Sequence, residues 1–392
     1  MNVSPQSQLT LYPLTIRKDK RHYIVEQTTS GDYFEMPEIC IEAIHRINKG
    51  DTLGEIEVVL KKNFPNEKVD MIDFAEQLIE LELVQEVDGE SIQISEVDSP
   101  SNGFETIPVR VGRFFFNSIT NKIYVSLIIM NIFYFIFNPK LLPQYEDVFL
   151  FDSMTFNILL FMGASLILIL IHELGHILAI RSHGLPTKVN IGHRLFLVVF
   201  ETDLTPAWKL DRKERNVLYL AGIYFEQFIL FIALTIKNFS PDTNPFLLGI
   251  IGIVILDIFI KFIYQCCFYM KTDMYYLFEN ITGCYNLMEN GRKRLSRWVP
   301  FVKASNETEP FDGEEKVIRL YSIFYICGIA LTTILFVFYF IPQMIYAYAN
   351  TLPELLSGFK NPAFWDAIVF LGQSVLVFSL LLYSWKRKEG KS

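Results

Sequence analysis

Apolar residues are distributed along this chain in two regimes. Over the first hundred residues they recur singly, at the periods of short strands and amphipathic helices. Beyond residue 120 they run in long blocks. Residues 9–28 and 32–36 read as short strands: LTLYPLTI, then HYIVEQ, the turn TTSGD, and YFEMP, with Ser30-Gly31-Asp32 marking a hairpin. Three helical patterns follow at about 37–48, 52–63 and 67–82. Asp51 or Thr52 can cap the second helix, with Glu55 closing a capping box. Met71, Phe74, Leu78 and Leu81 line one face of the third. A small sheet with three helices predicts an α+β, winged-helix-like domain over residues 1–90. A polar, acidic stretch, about 86–106, then leads to the apolar part, with the linker expected over residues 91–120.

Six apolar segments occupy about 121–138, 155–180, 216–236, 245–269, 317–341 and 363–385. Each is long enough to cross about 30 Å of hydrocarbon. The predicted fold is therefore a multi-pass α-helical membrane protein with about six transmembrane helices, residues 121–388, behind the small domain. Composition agrees, with 51% hydrophobic residues and 15% aromatic. No signal-peptide-like or Arg-rich start is visible. The five cysteines have neither metal-ligand nor disulfide spacing.

Charge sets the orientation. Residues 1–100 carry −11 and the remainder about +3. If the N-terminal domain is cytoplasmic, twenty-two basic residues of the apolar part fall on the cytoplasmic side, and only Lys140, Lys237 and Lys360 fall outside. That asymmetry is what the positive-inside rule expects and places both termini in the cytoplasm.

The second apolar segment contains His172-Glu173-Leu174-Gly175-His176. On a helix, residues i and i+4 share a face, so the two imidazoles can reach one metal ion. Glu173 is then placed as general base toward a water at that ion. A His-Glu-x-x-His run arises by chance in roughly one chain in two hundred at this composition. The alternative, a pair of structural helix histidines, is weak in hydrocarbon, where three ionisable groups within five residues need a partner or a function. Hydrolytic zinc keeps three protein ligands and one open position. Asp273 is the expected third ligand, because it follows the fourth segment at a depth matching the histidines; an ordinary interfacial carboxylate is the plain alternative. His183, His193 and Asp257 compete: the histidines lie in a basic loop, and Asp257 can pair with Lys261 at i+4.

Together with Phe268-Tyr269-Met270-Lys271-Thr272-Asp273-Met274-Tyr275-Tyr276-Leu277, the His172–His176 motif resembles the site-2 protease family of intramembrane zinc peptidases, nearest to its peptide zinc metalloprotease branch with a Lys-x-Asp-Gly-Tyr-Tyr run. The resemblance covers about 120–385. It implies Zn2+ held by His172, His176 and Asp273, Glu173 as general base, and a bacterial cell membrane. Two positions depart from the pattern. Met274 replaces the Gly after the ligand Asp. In Leu220-Ala221-Gly222-Ile223-Tyr224-Phe225-Glu226, Ile223 and Glu226 replace the Pro and Asn of Ala-Gly-Pro-x-x-Asn. That Asn is a substrate or oxyanion group in the family. Glu226 then has three readings: a substrate-side group or proton relay, an extra metal-side carboxylate, or a structural carboxylate paired with a neighbouring helix.

Residues from about 8 to 90 resemble PqqD-like recognition domains of ribosomally made, modified peptides. Tyr23-Ile24-Val25, Tyr33-Phe34-Glu35-Met36-Pro37, Ile44, Ile47, Thr52-Leu53, Val69-Asp70, Phe74 and Leu81 to Val84 carry this likeness. It implies a leader peptide bound as an added strand beside the third helix. A charge of −11 speaks against nucleic acid as partner. The expected partners are thus a peptide substrate and the lipid bilayer. The expected function is cleavage of a peptide precursor near the cytoplasmic face. The alternatives are regulated intramembrane proteolysis of a membrane-bound regulator, or a non-catalytic export, immunity or scaffold role.

Overall fold

The structure is a computed structural model. It describes residues 3–20, 22–92, 103–194, 197–240, 244–297 and 313–389. The chain is mostly helical, and its contacts divide it into two compact units: Met1–Asn102 with Thr205–Leu210, and Gly103–Leu204 with Asp211–Ser392.

The first unit runs β1 (Leu9–Leu11), β2 (Leu14–Asp19), β3 (His22–Gln27), β4 (Tyr33–Met36), α1 (Glu38–Ile47), α2 (Leu53–Asn63), α3 (Met71–Glu80), β5 (Val84–Val87) and β6 (Glu90–Ser91). Two antiparallel three-stranded sheets form, β2-β3-β4 and β1-β5-β6. The strand read through LTLYPLTI breaks at Pro13, which has no N–H to give a ladder. Leu9 instead pairs with Val87, while Leu14 pairs with Gln27. The second sheet needs a hairpin within the acidic stretch read as the approach to the linker. Asp88 and Gly89 turn it with φ of 52° and 84°, an Asp-Gly pair suited to a two-residue hairpin. The expected capping box closes α2: Glu55 N–H donates to Thr52 Oγ1 at 3.4 Å and Thr52 N–H to Glu55 Oε2 at 2.9 Å. Helix α3 starts at 71 rather than 67 because Asp70 caps it, accepting from the N–H groups of Ile72 and Asp73. Val25, Ile44, Ile56, Leu78 and Leu83 form the centre of one core. The Thr205–Leu210 segment belongs to this unit through Arg17 of β2, whose guanidinium donates to the carbonyls of Trp208, Lys209 and Leu210. Lys209 also pairs with Glu26 of β3 at 3.0 Å.

The second unit runs α4 (Val109–Phe115), α5 (Ser118–Phe137), α6 (Met154–Ser182), β7 (Val189–Arg194), β8 (Leu197–Thr202), α7 (Arg212–Phe239), α8 (Pro245–Gln265), α9 (Asp273–Thr282), α10 (Leu287–Leu295), α11 (Glu315–Leu335), α12 (Ile341–Glu354) and α13 (Pro362–Glu389). Six helices among the described residues are long and apolar enough to cross a membrane: Ser118–Phe137, Met154–Ser182, Arg212–Phe239, Pro245–Gln265, Glu315–Glu354 and Pro362–Ser379. Each overlaps one expected segment. The fifth is 40 residues long, because a π-helical stretch, Phe336–Phe340, joins α11 to α12 without a break. Pro342 offers no N–H to the preceding turn, and a wider turn absorbs that loss.

Helix α7 is the centre of this unit: 61% of its apolar window is buried, against 17% for α5 and α6. The outward faces of α5, α6 and α13 expose Phe133, Phe137, Ile167 and Leu376. Buried polar side chains point inward, as with Asn131 of α5, whose amide donates to the Gln227 carbonyl of α7 at 2.9 Å. The stretch expected as linker contains α4, which packs on α6 through Gly112: a Cβ there would lie 2.5 Å from the Ser182 nitrogen.

Candidate metal centre

Helices α6 and α7 approach closely because the facing positions are small. A Cβ on Gly175 would sit 2.5 Å from the Ala221 carbonyl oxygen, and one on Gly222 would sit 2.4 Å from His172 Nε2. The Leu-Gly inside the His motif and the Ala-Gly of α7 thus make room for an imidazole between two helices. His172 and His176 project from the inner face of α6, both buried.

Asp273 comes from the other side. Helix α8 ends at Gln265, and a non-helical turn leads to α9, whose first residue is Asp273. Thr272 caps α9: its Oγ1 accepts from Tyr275 N–H at 3.4 Å and donates to the Gln265 carbonyl at 2.8 Å. Met274 takes an ordinary helical place in α9, so this backbone needs no glycine there. Burial by itself would raise the Asp273 carboxyl. The His176 and His172 imidazoles beside it outweigh burial and hold it well below the usual carboxylate range.

The structure brings His172, His176 and Asp273 together, with one ligand atom from each, all within 4.8 Å of one another. His172 Nε2 is 2.9 Å from Asp273 Oδ2 and 3.2 Å from His176 Nε2, and His176 Nε2 is 3.5 Å from the same Oδ2. Two zinc–ligand bonds at a tetrahedral angle put their ligand atoms about 3.3–3.4 Å apart. The triangle therefore has the dimensions of one face of a tetrahedral site.

The outer contacts say which atoms carry protons. His176 Nδ1 is 2.8 Å from the Leu218 carbonyl oxygen, an acceptor only, so that nitrogen bears a hydrogen, and in the neutral ring Nε2 presents a lone pair. His172 Nδ1 is 3.3 Å from Glu226 Oε2, again an acceptor in its ionised form. Three acceptors then converge on one point. A proton on His172 Nε2 can serve Asp273 or His176; a single divalent cation serves all three at once. The donor set fits a metal ion, and the second contacts fit it too, since ligating histidines hold their remaining N–H on a carbonyl or carboxylate.

Asp273 is also held from outside, by Gln265. Its amide nitrogen donates to Asp273 Oδ2 at 2.9 Å, and its carbonyl oxygen accepts from Asp273 N–H at 3.1 Å. Glu173, which follows His172 in α6, is held by Thr202 of β8. Its Oε2 accepts from Thr202 N–H at 2.9 Å and from Thr202 Oγ1 at 2.7 Å. Neither Gln265 nor Thr202 stands out in the sequence, and no spacing rule marks them, because each is brought in by a turn or a hairpin.

The competing ligands lie elsewhere. His183 Nδ1 is 3.8 Å from Glu214, and Asp257 pairs with Lys261 Nζ at 2.6 Å, in keeping with their i+4 spacing. The side chain of His193 falls outside the described residues. Glu226 sits at the Nδ1 side of His172, behind the ring rather than on the ligand side. Compared with protein-family models, curated proteins and solved structures, the chain gives no match.

Proposed function

We propose that this protein is a membrane-embedded zinc endopeptidase of the site-2 protease kind, cleaving a peptide precursor near the cytoplasmic face of a bacterial cell membrane. The observation that carries the reading is the convergence of His172 Nε2, His176 Nε2 and Asp273 Oδ2 within 4.8 Å, with Glu173 following His172 in the same helix. Two imidazoles and one carboxylate are the ligand classes of hydrolytic zinc, leaving one position for water or substrate. When bound there, the metal polarises the scissile carbonyl and acidifies the attacking water.

The residues divide the remaining work. Thr202 holds Glu173 Oε2 with two hydrogen bonds, which fixes the carboxylate and leaves Oε1 to act. That oxygen takes the proton from the attacking water and delivers it to the nitrogen of the leaving amine. Gln265 fixes Asp273, and Leu218 and Glu226 fix the two imidazole rings. Burial among α6, α7 and α9 keeps bulk water away.

The first unit is the substrate-recruiting part, a winged-helix-like domain that resembles PqqD-like leader-binding domains. Strand β4 is the outer strand of the β2-β3-β4 sheet, at the opposite edge from β2, where Arg17 holds Thr205–Leu210. A leader peptide adds to the β4 edge as a further strand. The bilayer surrounds the exposed apolar faces of the six long helices.

Purified protein in detergent tests the reading. Zinc is expected at about one ion per chain. Glu173→Gln should keep that ion and lose cleavage of the precursor by about 10²–10⁴-fold, read by mass spectrometry. Full cleavage by that variant, or a wild-type protein without metal, sinks it.

A further inference from the structure

The contacts of Glu226 extend beyond His172, and their order is informative. Glu226 lies on α7 at 2% exposure, between α6 and α8. Its Oε2 is 3.3 Å from His172 Nδ1, while its Oε1 is 3.9 Å from Lys261 Nζ of α8. Lys261 in turn lies 2.6 Å from Asp257 Oδ2, one turn earlier on α8, and donates to the Ser165 carbonyl of α6 at 3.4 Å. Were Glu226 only a structural counter-ion, its closest partner would be the lysine. The closest partner is the imidazole, and the lysine is nearer to a different carboxylate.

We propose that Glu226 is a positioning residue for the metal centre, and that Lys261 and Asp257 form a charge-balanced brace that keeps it on the His172 ring. The proposal rests on the metal-site reading above. A carboxylate receiving Nδ1–H fixes the ring's orientation and tautomer, and it enriches Nε2 as a ligand. A lone carboxylate in this setting is costly, and removing one partner of a buried ion pair leaves an uncompensated charge. Lys261 supplies the compensation at a distance that does not pull Glu226 away from the ring. Asp257 also holds the ammonium, and the Ser165 carbonyl ties the brace to α6, the helix that carries both histidines. His176 needs no such brace because the Leu218 backbone carbonyl anchors its ring. Glu226 therefore occupies the position of the Asn in the site-2 protease pattern but has a different role, acting behind a ligand.

The experiment uses the full-length protein in detergent. Zinc affinity is measured by competition with a chromophoric chelator, and ligand geometry by the visible absorption of the Co2+-substituted protein. Glu226→Ala is expected to weaken zinc binding by about 10–100-fold and to shift the Co2+ bands. Glu226→Gln keeps an acceptor for Nδ1–H, and Lys261→Met removes the ammonium that Glu226 and Asp257 share; each should cost about three- to tenfold. Glu226→Ala binding zinc within twofold of wild type, with unchanged Co2+ bands, overturns the proposal. If that variant does not elute as folded protein, Glu226→Gln and Lys261→Met decide by the same criterion: both within twofold of wild type overturns it. Wild-type protein that binds neither Zn2+ nor Co2+ is a separate outcome, since it removes the metal-site reading itself.

Discussion

Thr202 is the residue on which the proposed base role of Glu173 depends most directly. Two donors on one oxygen, the Thr202 N–H at 2.9 Å and Oγ1 at 2.7 Å, turn a flexible carboxylate into one with a fixed direction. A hydrogen bond to a charged group contributes about 1.5–3 kcal/mol. Thr202→Val keeps the backbone donor and the side-chain shape but loses the hydroxyl, so kcat should fall about tenfold or more, with zinc content and KM near wild type. Thr202→Ser should restore most of the rate. Equal kcat in Thr202→Val and wild type would remove the positioning role. At this scale the sequence is informative where chemistry depends on local spacing. His172 and His176 need only the i+4 geometry of a helix. Asp273 could be placed only by depth and resemblance, because its approach depends on how α8 ends and α9 begins. Thr202 and Gln265 are set by tertiary turns, and no residue count along the chain encodes them.

Helix α9 carries Asp273 at one end and a buried carboxyl, Glu279, nearer the other. Glu279 Oε1 accepts from Tyr275 OH at 2.5 Å and from Leu287 N–H at 3.2 Å, which ties α9 to the start of α10. Burial outweighs these bonds and nearby Lys271, so its pKa rises from 4.5 to about 7. A carboxyl whose folded pKa is raised binds more protons folded than unfolded, so its contribution to stability is complete below about 4.5 and is lost as pH climbs through about 7. Thermal unfolding followed by tryptophan fluorescence should therefore give a higher midpoint at pH 5 than at pH 8, and Glu279→Gln should flatten that difference. A wild-type midpoint that rises from pH 5 to 8 by an amount Glu279→Gln leaves unchanged would contradict this. Element by element, long apolar runs are readable because a helix that crosses hydrocarbon has no polar relief. Short strands are not. Pro13 ends a strand that alternation alone would continue, and β5–β6 sits in a stretch whose acidity resembles a linker despite Asp88-Gly89. The β7–β8 hairpin lies in a region that its basic residues mark only as loop.

Across the whole molecule, charge and apolar length act together. Twenty-two basic residues flank one side of the six long helices and three the other. The candidate metal centre lies toward the basic side, because His172 is ten residues from the end of α6 and Asp273 opens α9, one turn of chain beyond α8. The acidic first unit precedes the six long helices in the chain. Its inclusion of Thr205–Leu210 is invisible in the sequence, since Arg17 and Lys209 are 192 positions apart. If the chain inserts as its charges direct, the proposed leader-binding domain and the proposed peptidase site both face the cytoplasm. Reversing that orientation would move the −11 domain across the membrane and separate it from cytoplasmic precursors. Single cysteines introduced into a cysteine-free background read the orientation directly. Gln144 and Ser357 are exposed between α5 and α6 and between α12 and α13, and Lys49 and Lys188 are exposed on the other side of the predicted topology. A membrane-impermeant maleimide applied to intact cells should label Gln144→Cys and Ser357→Cys, and should reach Lys49→Cys and Lys188→Cys only after permeabilisation. The opposite pattern would place the candidate metal centre toward the outer face and would exclude a cytoplasmic precursor as the substrate of the proposed peptidase.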